Sequence, residues 1–300
     1  MPTCIVSFVD LDGVRHSVEV LAEGLYEAAV LGLSAFKKHD FQPGGLTHLE
    51  VEVRSSITHT VVVQRRFFAV SFRSMCGRFA LKSPGRTKFD GVNCSHLPPL
   101  FPRYNIAPSQ SVLTVVQRES KREAAFLHWG LIPSWSKEPK GFINARFETI
   151  AEKPSFSESF QTRTCLILAD AFYEWQRSGK MAQPYVFQMK DELPFAFAGI
   201  WDEWHGHEIS ITSCAIITTT ANELLATIHD RMPVILRSQS YDAWLNGDSK
   251  PANLINLLAP FPASEMRSHA VSYDVNSPKM DDEHLLRPVE PNLGVTPSLF

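Results

Sequence analysis

The sequence predicts an α+β protein whose main domain is rich in β-strands. Short runs of branched and aromatic residues fill most of the chain after residue 75, and such residues favour strands. These runs follow one another without regular helical segments between them, which argues against an alternating α/β sheet. The chain of 300 residues is long enough for one large domain or two modest ones with a real hydrophobic core.

The first 64 residues predict a small ββαββ unit. The dipeptide Asp12-Gly13 is a strong turn signal between two apolar runs, so the chain is expected to open with a hairpin. Apolar residues recur at helical spacing over 21–39, and Pro43-Gly44-Gly45 ends that pattern. The four runs with strand character are 4–10, 14–20, 49–54 and 59–64.

The composition changes after this unit. Residues 65–74 combine arginines with phenylalanines and are interpreted as a linker. A β-rich core with flanking helices is predicted over 75–291, and prolines without periodicity predict a loose tail over 292–300. In the main domain, strands are predicted at 112–117, 126–129, 165–175, 185–189, 195–201 and 213–219. Helices are predicted at 221–228, 240–245 and 251–258.

The charge balance and the cysteines narrow the functional classes. Lysines and arginines number 29 against 32 acidic residues, so the net charge of -3 gives no global signal for nucleic acid, and DNA binding would need a local groove. The five cysteines form no Cys-x-x-Cys pair, which predicts free thiols in a reducing compartment. No run approaches the roughly 18 apolar residues of a membrane span, so we expect a soluble, cytoplasmic protein without membrane contacts.

Four polar residues lie where predicted strands and loops meet: Cys76, Asn144, Glu174 and His229. Each of them also fits an ordinary structural role. A free cysteine is most often a buried small apolar residue. A glutamate beside a tryptophan can be an ion-pair partner at a rim, and a histidine before Asp-Arg can be structural. Taken singly, these residues therefore predict no function.

Seven sequence blocks containing these residues follow one another in the main domain. They are Met-Cys-Gly-Arg-Phe at 75–79, Arg-Tyr-Asn-Ile-Ala-Pro at 103–108, Trp-Gly-Leu-Ile-Pro-Ser-Trp at 129–135, Asn-Ala-Arg-x-Glu-Thr at 144–149, Phe-Tyr-Glu-Trp at 172–175, Thr-Thr-x-Ala-Asn at 218–222 and His-Asp-Arg-Met-Pro at 229–233. Together they make the stretch from Met75 to about Pro291 resemble the SOS response-associated peptidase family, the abasic-site processing proteins.

The resemblance implies covalent capture of the aldehyde of an abasic site in single-stranded DNA by an N-terminal cysteine. The α-amine condenses with the aldehyde, and the thiol of the same residue closes onto the imine carbon to give a thiazolidine ring. Cys76 is the residue for this step, because an α-amine with an ordinary pKa of about 7.7 to 8.0 is partly neutral near pH 7. The DNA-bound protein is expected to be associated with the nucleoid.

This chemistry assigns roles to three further residues. Glu174 is the candidate acid and base that opens the sugar ring and protonates the departing hydroxyl, since a partly desolvated carboxyl can have a raised pKa. His229, with an ordinary pKa of about 6.5, is the candidate proton carrier for ring opening and for reversal of the adduct. Asn144 is expected to orient the amine or the sugar.

DNA recognition is predicted to rest on phosphate contacts and base stacking. Arginine offers planar bidentate donors for phosphate, and a base stacked on an aromatic ring is worth about 1 to 3 kcal/mol. Core packing is the alternative role for the tryptophans, above all for Trp129. The candidate DNA-binding residues are Gly77, Arg78, Asn105, Pro108, Trp129, Trp135, Arg146, Trp175 and Arg231.

The unit ahead of Met75 conflicts with an N-terminal cysteine, because an amide nitrogen cannot form the thiazolidine ring. Three explanations stay open. Translation can start at Met75, the chain can cleave itself before Cys76, or the extension can persist on a protein that binds DNA without crosslinking. Self-cleavage would match the peptidase in the family name, with Cys76 as nucleophile and Glu174 or His229 as proton carrier.

Two other functional classes stay open. With its amine as a base for its thiol, Cys76 could serve an N-terminal-nucleophile amidohydrolase or peptidase. With the extension retained, the chain could be a non-covalent single-stranded DNA-binding module. The thiazolidine chemistry needs no metal and no organic cofactor, and we expect a monomer whose partner is single-stranded DNA containing abasic sites.

Overall fold

The computed structural model divides the chain into two compact units, Met1–Arg73 and Ser74–Phe300. The finer boundaries predicted at residues 64, 74 and 291 stay predictions. The structure describes residues 3–9, 15–21, 28, 31–32, 35, 50–53, 77–84, 100–118, 121–178, 181–207, 209–246 and 256–291.

The first unit contains a three-stranded antiparallel sheet. Strands β1 (Thr3–Val9) and β2 (Arg15–Leu21) pair as the predicted hairpin. Strand β3 (Glu50–Val53) pairs with the other edge of β1, which gives the order β2-β1-β3.

The predicted helix of this unit is described at four positions. Residues 28, 31, 32 and 35 are helical. Gly32 lies so close to β1 that an added Cβ would meet the side chain of Val6 at 2.5 Å, so the absence of a side chain lets the two elements approach. The strand predicted at 59–64 lies outside the described residues, and the complete ββαββ order therefore stays a prediction.

The second unit is built on a closed, barrel-like sheet of five strands. In order around the barrel these are β13 (Ser210–Thr220), β7 (Lys121–Trp129), β6 (Ser111–Arg118), β9 (Thr164–Ala169) and β12 (Phe195–His205). The β13–β7 pairing is parallel and the other four pairings, including the closing β12–β13 pair, are antiparallel. The short strand β15 (Ile235–Leu236) also pairs with β12. The prediction of a β-rich main domain is confirmed.

A second, five-stranded antiparallel sheet packs against the barrel. Its order is β16 (Met266–Ala270), β11 (Met181–Met189), β10 (Ala171–Ser178), β4 (Phe79–Leu81) and β5 (Arg103–Ile106). Successive side chains of a strand point to opposite faces. One face accordingly adds Phe79, Phe172 and Phe187 to the main core, whereas the other packs Ala80, Tyr173 and Val186 against Val271, Val275 and Leu285.

Residues 165–175, predicted as one strand, form two strands in different sheets. The chain passes from β9 to β10 at Asp170, whose carboxylate accepts the N–H groups of Lys82 at 3.0 Å and Ser83 at 2.8 Å. Most residues on both sides of Asp170 are buried. The apolar run therefore continues through the change of sheet, and periodicity could not reveal it.

The described helices are short. They are Ser157–Thr162, Glu223–Ala226 and Tyr241–Leu245. The helix predicted at 221–228 is thus shorter than expected, the one at 240–245 is confirmed, and the described part of 251–258 is a 3₁₀ turn at Asn256–Leu258. Within the described part of the chain, the helices lack the length and apolar character needed to cross a membrane.

Candidate functional site

Cys76 lies outside the described residues, so the site is built from the residues that follow it. The carbonyl of Arg78 accepts a hydrogen bond from the N–H of Tyr173 at 3.0 Å. This bond extends the antiparallel pairing of β4 with β10 by one residue. The chain entering β4 therefore meets β10 at the residue that precedes Glu174.

Glu174 is buried on the face of β10 that points toward the barrel. Its exposed fraction is 3%. Residues two apart on a strand share a face, and Phe172 on this face makes an edge-on aromatic contact with β12 at 6.0 Å between ring centroids. On the other side of Glu174, Nε2 of Gln176 donates to the carbonyl of Thr227 at 3.2 Å. Glu174 thus lies on β10 between Phe172, which contacts the barrel, and Gln176, which binds the turn that leads to His229.

His229 has two polar neighbours at Nδ1. This nitrogen lies 3.2 Å from the backbone N–H of Arg231 and 2.9 Å from Oδ1 of Asp230. Burial lowers the pKa of His229 below its ordinary value; Asp230 opposes this shift, and the positive charges of Arg177 and Arg231 add to it. The neutral imidazole is therefore favoured near pH 7.

The end of β13 brings two of the sequence blocks together. Strand β8 (Asn144–Arg146) pairs with one edge of β13, where Arg146 lies opposite Thr218. Strand β14 (Arg231–Pro233) pairs with the other edge, where Pro233 lies opposite the same threonine. Asn144 is half-buried, and Arg146 is exposed. Their predicted roles in orienting the substrate and binding phosphate stay predictions.

Arg231 crosses the end of β13 and forms an ion pair with Glu148. Its Nη1 lies 2.6 Å from Oε1 of Glu148, and its Nη2 lies 2.8 Å from Oε2. Nη2 also donates to the carbonyl of Thr218 at 2.8 Å. These hydrogen bonds lower the pKa of Glu148. The predicted phosphate contact of Arg231 therefore requires that a phosphate replace Glu148 or use the remaining N–H groups.

Asn105 is fully buried and holds the side chain of Arg78 in place. Its Oδ1 accepts a hydrogen bond from Arg78 at 2.9 Å. Its Nδ2 donates to the carbonyls of Val275, Ser277 and Met280 at 3.2, 2.9 and 2.7 Å. With 0% of the residue exposed, the side chain of Asn105 does not reach DNA directly. Asn105 therefore supports the segment that carries Arg78, and its place among the DNA-binding residues stays a prediction.

Arg78 is half-buried, and Gly77 beside it is half-buried as well. The guanidinium donates to the carbonyls of Val275 at 2.7 Å and Asn276 at 3.3 Å. Burial lowers the pKa of Arg78 to about 10, although the nearby Tyr173 opposes the shift. Arg78 is still charged at neutral pH, and its charge lies two residues from Cys76 in sequence.

The predicted tryptophans divide between core and surface. Trp129 is fully buried, donates from Nε1 to the carbonyl of Ile143 at 2.9 Å and packs edge-on against Phe79. This burial agrees with core packing, the alternative role for Trp129, and its stacking role stays a prediction. Trp135 is 62% exposed. Trp175 is half-buried and donates from Nε1 to Asn276, so these two rings stay candidates for stacking.

Pro108 is half-buried and precedes Ser109, which has the left-handed backbone value φ = 67°. The N–H of Ser109 donates to the carbonyl of Trp129 at 2.8 Å, so this turn is fixed to the barrel. The role predicted for Pro108 stays a prediction. In the described ranges, no group of three or more metal-ligating side chains is placed to hold a metal ion.

The candidate residues named from the sequence do not include those that support the site. Glu148 stands inside the recognised block at 144–149, and a carboxylate there could have been matched to Arg231 by charge alone. Gln176 and Arg177 follow the block at 172–175 directly, and period two places Gln176 on the face of Glu174. The C-terminal segment 273–281 carried no such signal, because it binds Arg78 and Asn105 mainly through backbone carbonyls.

Comparisons with known proteins agree on one family. Residues 75–278 match the family described as SOS response associated peptidase (SRAP). The chain is 42% identical over 221 residues to abasic site processing protein YoqW of Bacillus subtilis, covering 71% of this chain and 99% of the relative. It is 30% identical over 224 residues to abasic site processing protein YedK of Escherichia coli, covering 72% and 100%. It is 32% identical over 231 residues to abasic site processing protein HMCES of Gallus gallus, covering 65% and 68%.

Solved structures give the same result for the fold. A crystal structure of a protein from Bacteroides thetaiotaomicron is 27% identical and superposes with a TM-score of 0.62, covering 72% of this chain and 98% of that one. A crystal structure of a protein from Bordetella bronchiseptica is 28% identical, with a TM-score of 0.56 and coverages of 66% and 100%. With its matching sequence blocks, its family match and its barrel, the chain belongs to the SOS response associated peptidase family.

Proposed function

We propose that this chain captures abasic sites in single-stranded DNA through a covalent bond to Cys76. The observation that carries the proposal is the hydrogen bond from the N–H of Tyr173 to the carbonyl of Arg78, next to the buried carboxyl of Glu174. Cys76 precedes Arg78 by two residues, so covalent geometry holds their Cα atoms within about 7 Å. The relatives named abasic site processing proteins support the same assignment.

The chemistry proceeds in two steps. The α-amine of Cys76 adds to the C1′ aldehyde of the open sugar, and the carbinolamine then loses one water to form an imine. The thiol sulfur adds to the imine carbon, its proton passes to the nitrogen, and the thiazolidine ring closes. In this proposal Glu174 donates and accepts the protons of ring opening and water loss, which is the role of a positioned general acid and base.

His229 is proposed as a second proton carrier. The bond between Gln176 and Thr227 fixes the turn before His229 beside the strand of Glu174. Its lowered pKa keeps the imidazole neutral near pH 7, so it can accept a proton there. Asn144, which lies opposite Ile216 of β13, is proposed to orient the amine or the sugar.

The substrate is proposed to be held by its backbone and by stacking, without base reading. Arg78 and the exposed Arg146 supply positive charge for phosphates, and the exposed ring of Trp135 supplies a stacking face. Single-stranded DNA fits this arrangement because its bases are free to stack on an aromatic side chain.

An active α-amine requires that Cys76 be the first residue. The family match begins at residue 75, one residue ahead of Cys76. We propose that the active form begins at Cys76, either because translation starts at Met75 and this methionine is then removed, or because the chain cleaves itself before Cys76. The second route would be the peptidase activity of the family name.

A crosslinking assay tests the proposal. Protein that begins at Cys76 is incubated with a single-stranded oligonucleotide carrying an abasic site, and heat-stable adducts are separated by denaturing electrophoresis. We expect an adduct with the unmodified protein and with Cys94→Ala, a matched control outside the recognised blocks. We expect none with Cys76→Ala or with an acetylated α-amine. An equal adduct yield from Cys76→Ala would exclude the thiazolidine, and turnover of a small amide without DNA would favour an amidohydrolase.

A further inference from the structure

The turn Pro133–Ser136 presents Trp135 to solvent. The N–H of Ser136 donates to the carbonyl of Pro133 at 2.9 Å and closes the turn. Trp135, with 62% of its surface exposed, occupies the third position. A single exposed aromatic ring is common on protein surfaces and indicates no site by itself. The hydrogen bonds that hold this turn against the barrel give more information about its role.

Side chains of two barrel strands hold alternate residues of this segment. Three hydrogen bonds join the N–H of Ile132 to Oγ of Ser213 at 2.9 Å, the N–H of Ser134 to Oδ2 of Asp202 at 2.9 Å, and Nε1–H of Trp204 to the carbonyl of Ser136 at 2.7 Å. Asp202 and Ser213 lie opposite each other in the β12–β13 pair. Asp202 and Trp204 are two residues apart and share one face of β12. The barrel wall therefore fixes the segment on both sides of Trp135.

Asp202 is a buried charge, with 4% of the residue exposed. Its carboxylate also accepts the N–H of Glu203 at 2.8 Å and lies 3.1 Å from a terminal nitrogen of Arg163. A buried carboxylate is tolerated only where hydrogen bonds and an opposite charge surround it. Movement of Ser134 would remove one of these partners, so the position of the turn is strongly determined.

The base of the same loop is closed as well. Leu131 and Phe142 exchange two backbone hydrogen bonds of 2.9 Å. Next to them, an added Cβ on Gly141 would meet the carbonyl oxygen of Gly130 at 2.3 Å, which leaves no room for any other residue. Both ends of the loop and its turn are therefore held in one arrangement.

We propose that Asp202 and Trp204 are positioning residues that hold Trp135 as a fixed stacking platform for a base of single-stranded DNA. A ring that is already fixed loses little conformational freedom when a base stacks on it, so more of the stacking energy appears as affinity. The exposed Lys137 and Lys140 follow on the same loop and supply the positive charge that a DNA backbone requires. This inference rests on the proposed function, since it deepens the recognition of the same substrate.

A double-mutant cycle tests the inference on the full chain. The probe is a single-stranded oligonucleotide containing tetrahydrofuran, an abasic analogue without an aldehyde, so that only non-covalent binding is measured. Fluorescence anisotropy gives Kd at one fixed salt concentration. Trp204→Phe keeps an aromatic ring but removes the N–H donor. We expect this variant to weaken binding about threefold to tenfold, which is less than the full stacking free energy of one base. Trp201→Phe, an indole on the same strand that is not bonded to the turn, is the matched control.

The decisive comparison is made in the Trp135→Ala background. If Trp204 acts through Trp135, then Trp204→Phe has no further effect on Kd once Trp135 is absent. Asp202→Ala, with Glu203→Ala as its control, is expected to behave in the same way, and thermal unfolding shows whether each variant is folded. The inference is overturned if Trp204→Phe weakens binding equally in both backgrounds, or leaves Kd unchanged where Trp135→Ala raises it. Failure of the unmodified protein to bind the probe would instead contradict the proposed function.

Discussion

The guanidinium of Arg78 donates a hydrogen bond of 2.9 Å to the side-chain oxygen of Asn105. Both side chains also bind the same carbonyl, that of Val275, at 2.7 and 3.2 Å. The segment that starts β4, next to the proposed nucleophile, is thereby tied to the C-terminal segment. These partners are neutral oxygens, so they fix the guanidinium without cancelling its positive charge. That arrangement suits a side chain that orients the start of β4 and attracts phosphate.

Asn105→Ala is expected to destabilise the main domain. The change removes hydrogen bonds to the carbonyls of Val275, Ser277 and Met280 and to Arg78, and such losses are expected to lower the free energy of unfolding by about 2 to 4 kcal/mol. Urea denaturation measures the change. Asn246→Ala removes a hydrogen bond to Arg122 that lies on the surface and is the matched control, with an expected change within about 0.5 kcal/mol. Equal stabilities for the two variants would contradict the supporting role of Asn105.

The neighbours of His229 are expected to move its pKa in opposite directions. Burial is the main cause of its lowered pKa, Arg177 adds to the shift and Asp230 opposes it. Arg177→Gln should therefore raise the pKa of His229, and Asp230→Asn should lower it. Titration of the imidazole followed by NMR measures both shifts. Because the folded pKa lies below the ordinary value of about 6.5, stability is expected to fall as the pH drops from there through the folded pKa.

The acid limb of the pH profile for adduct formation is expected to follow the same shifts. It should lie below about pH 6.5 in the unmodified protein and move up in Arg177→Gln. A rate that does not change while the NMR titration shifts would exclude His229 as a proton carrier.

Glu148→Gln is expected to reduce stability in a pH-dependent way. The hydrogen bonds with Arg231 lower the pKa of Glu148, so its contribution is present above the ordinary glutamate pKa and is lost as the pH falls through the lower folded value. The Glu148 side chain is 40% exposed, and solvent screening limits the expected change in unfolding free energy to about 1 kcal/mol at pH 7. Urea denaturation at pH 7 and at acidic pH measures it. Glu265→Gln, in the more exposed pair with Arg237, should have the smaller effect.

Glu174→Gln is expected to slow covalent capture without unfolding the protein. The amide keeps the volume of the side chain but cannot transfer the protons of ring opening and water loss, and general acid and base catalysis contributes about 10² to 10⁴ in rate. Single-turnover adduct formation measures the rate, with the surface residue change Glu158→Gln as control. A Glu174→Gln rate close to that of the control would remove Glu174 from the proposed mechanism.

Sequence patterns predicted the parts of the fold that depend on local signals. The hairpin at Asp12-Gly13 and strands such as β6 and β13 follow from turn chemistry and from branched residues. The division at Asp170 could not be predicted, because β9 and β10 are both buried and the apolar run is continuous. Barrel closure between β12 and β13, and the parallel β13–β7 pair, are long-range pairings with no local signal.

The candidate site, like the fold, could be predicted only in part from the sequence. The blocks predicted Asn144, Glu174 and His229 as site residues. The Gln176–Thr227 bond joins the strand of Glu174 to the turn before His229, and Asn144 lies beside β13. The sequence left both a core and a surface role open for Trp129, and it did not predict the burial of Asn105, since a motif residue can serve either the core or the surface. Only the three-dimensional packing separates these roles.

Intact-mass spectrometry of the protein after incubation with abasic single-stranded DNA tests the central claim most directly. The account predicts a species equal in mass to the chain from Cys76 onward plus the oligonucleotide, less one water, because imine formation releases one water and ring closure releases none. A covalent adduct that still carries the residues ahead of Cys76 would contradict the account, since an amide nitrogen cannot form the thiazolidine.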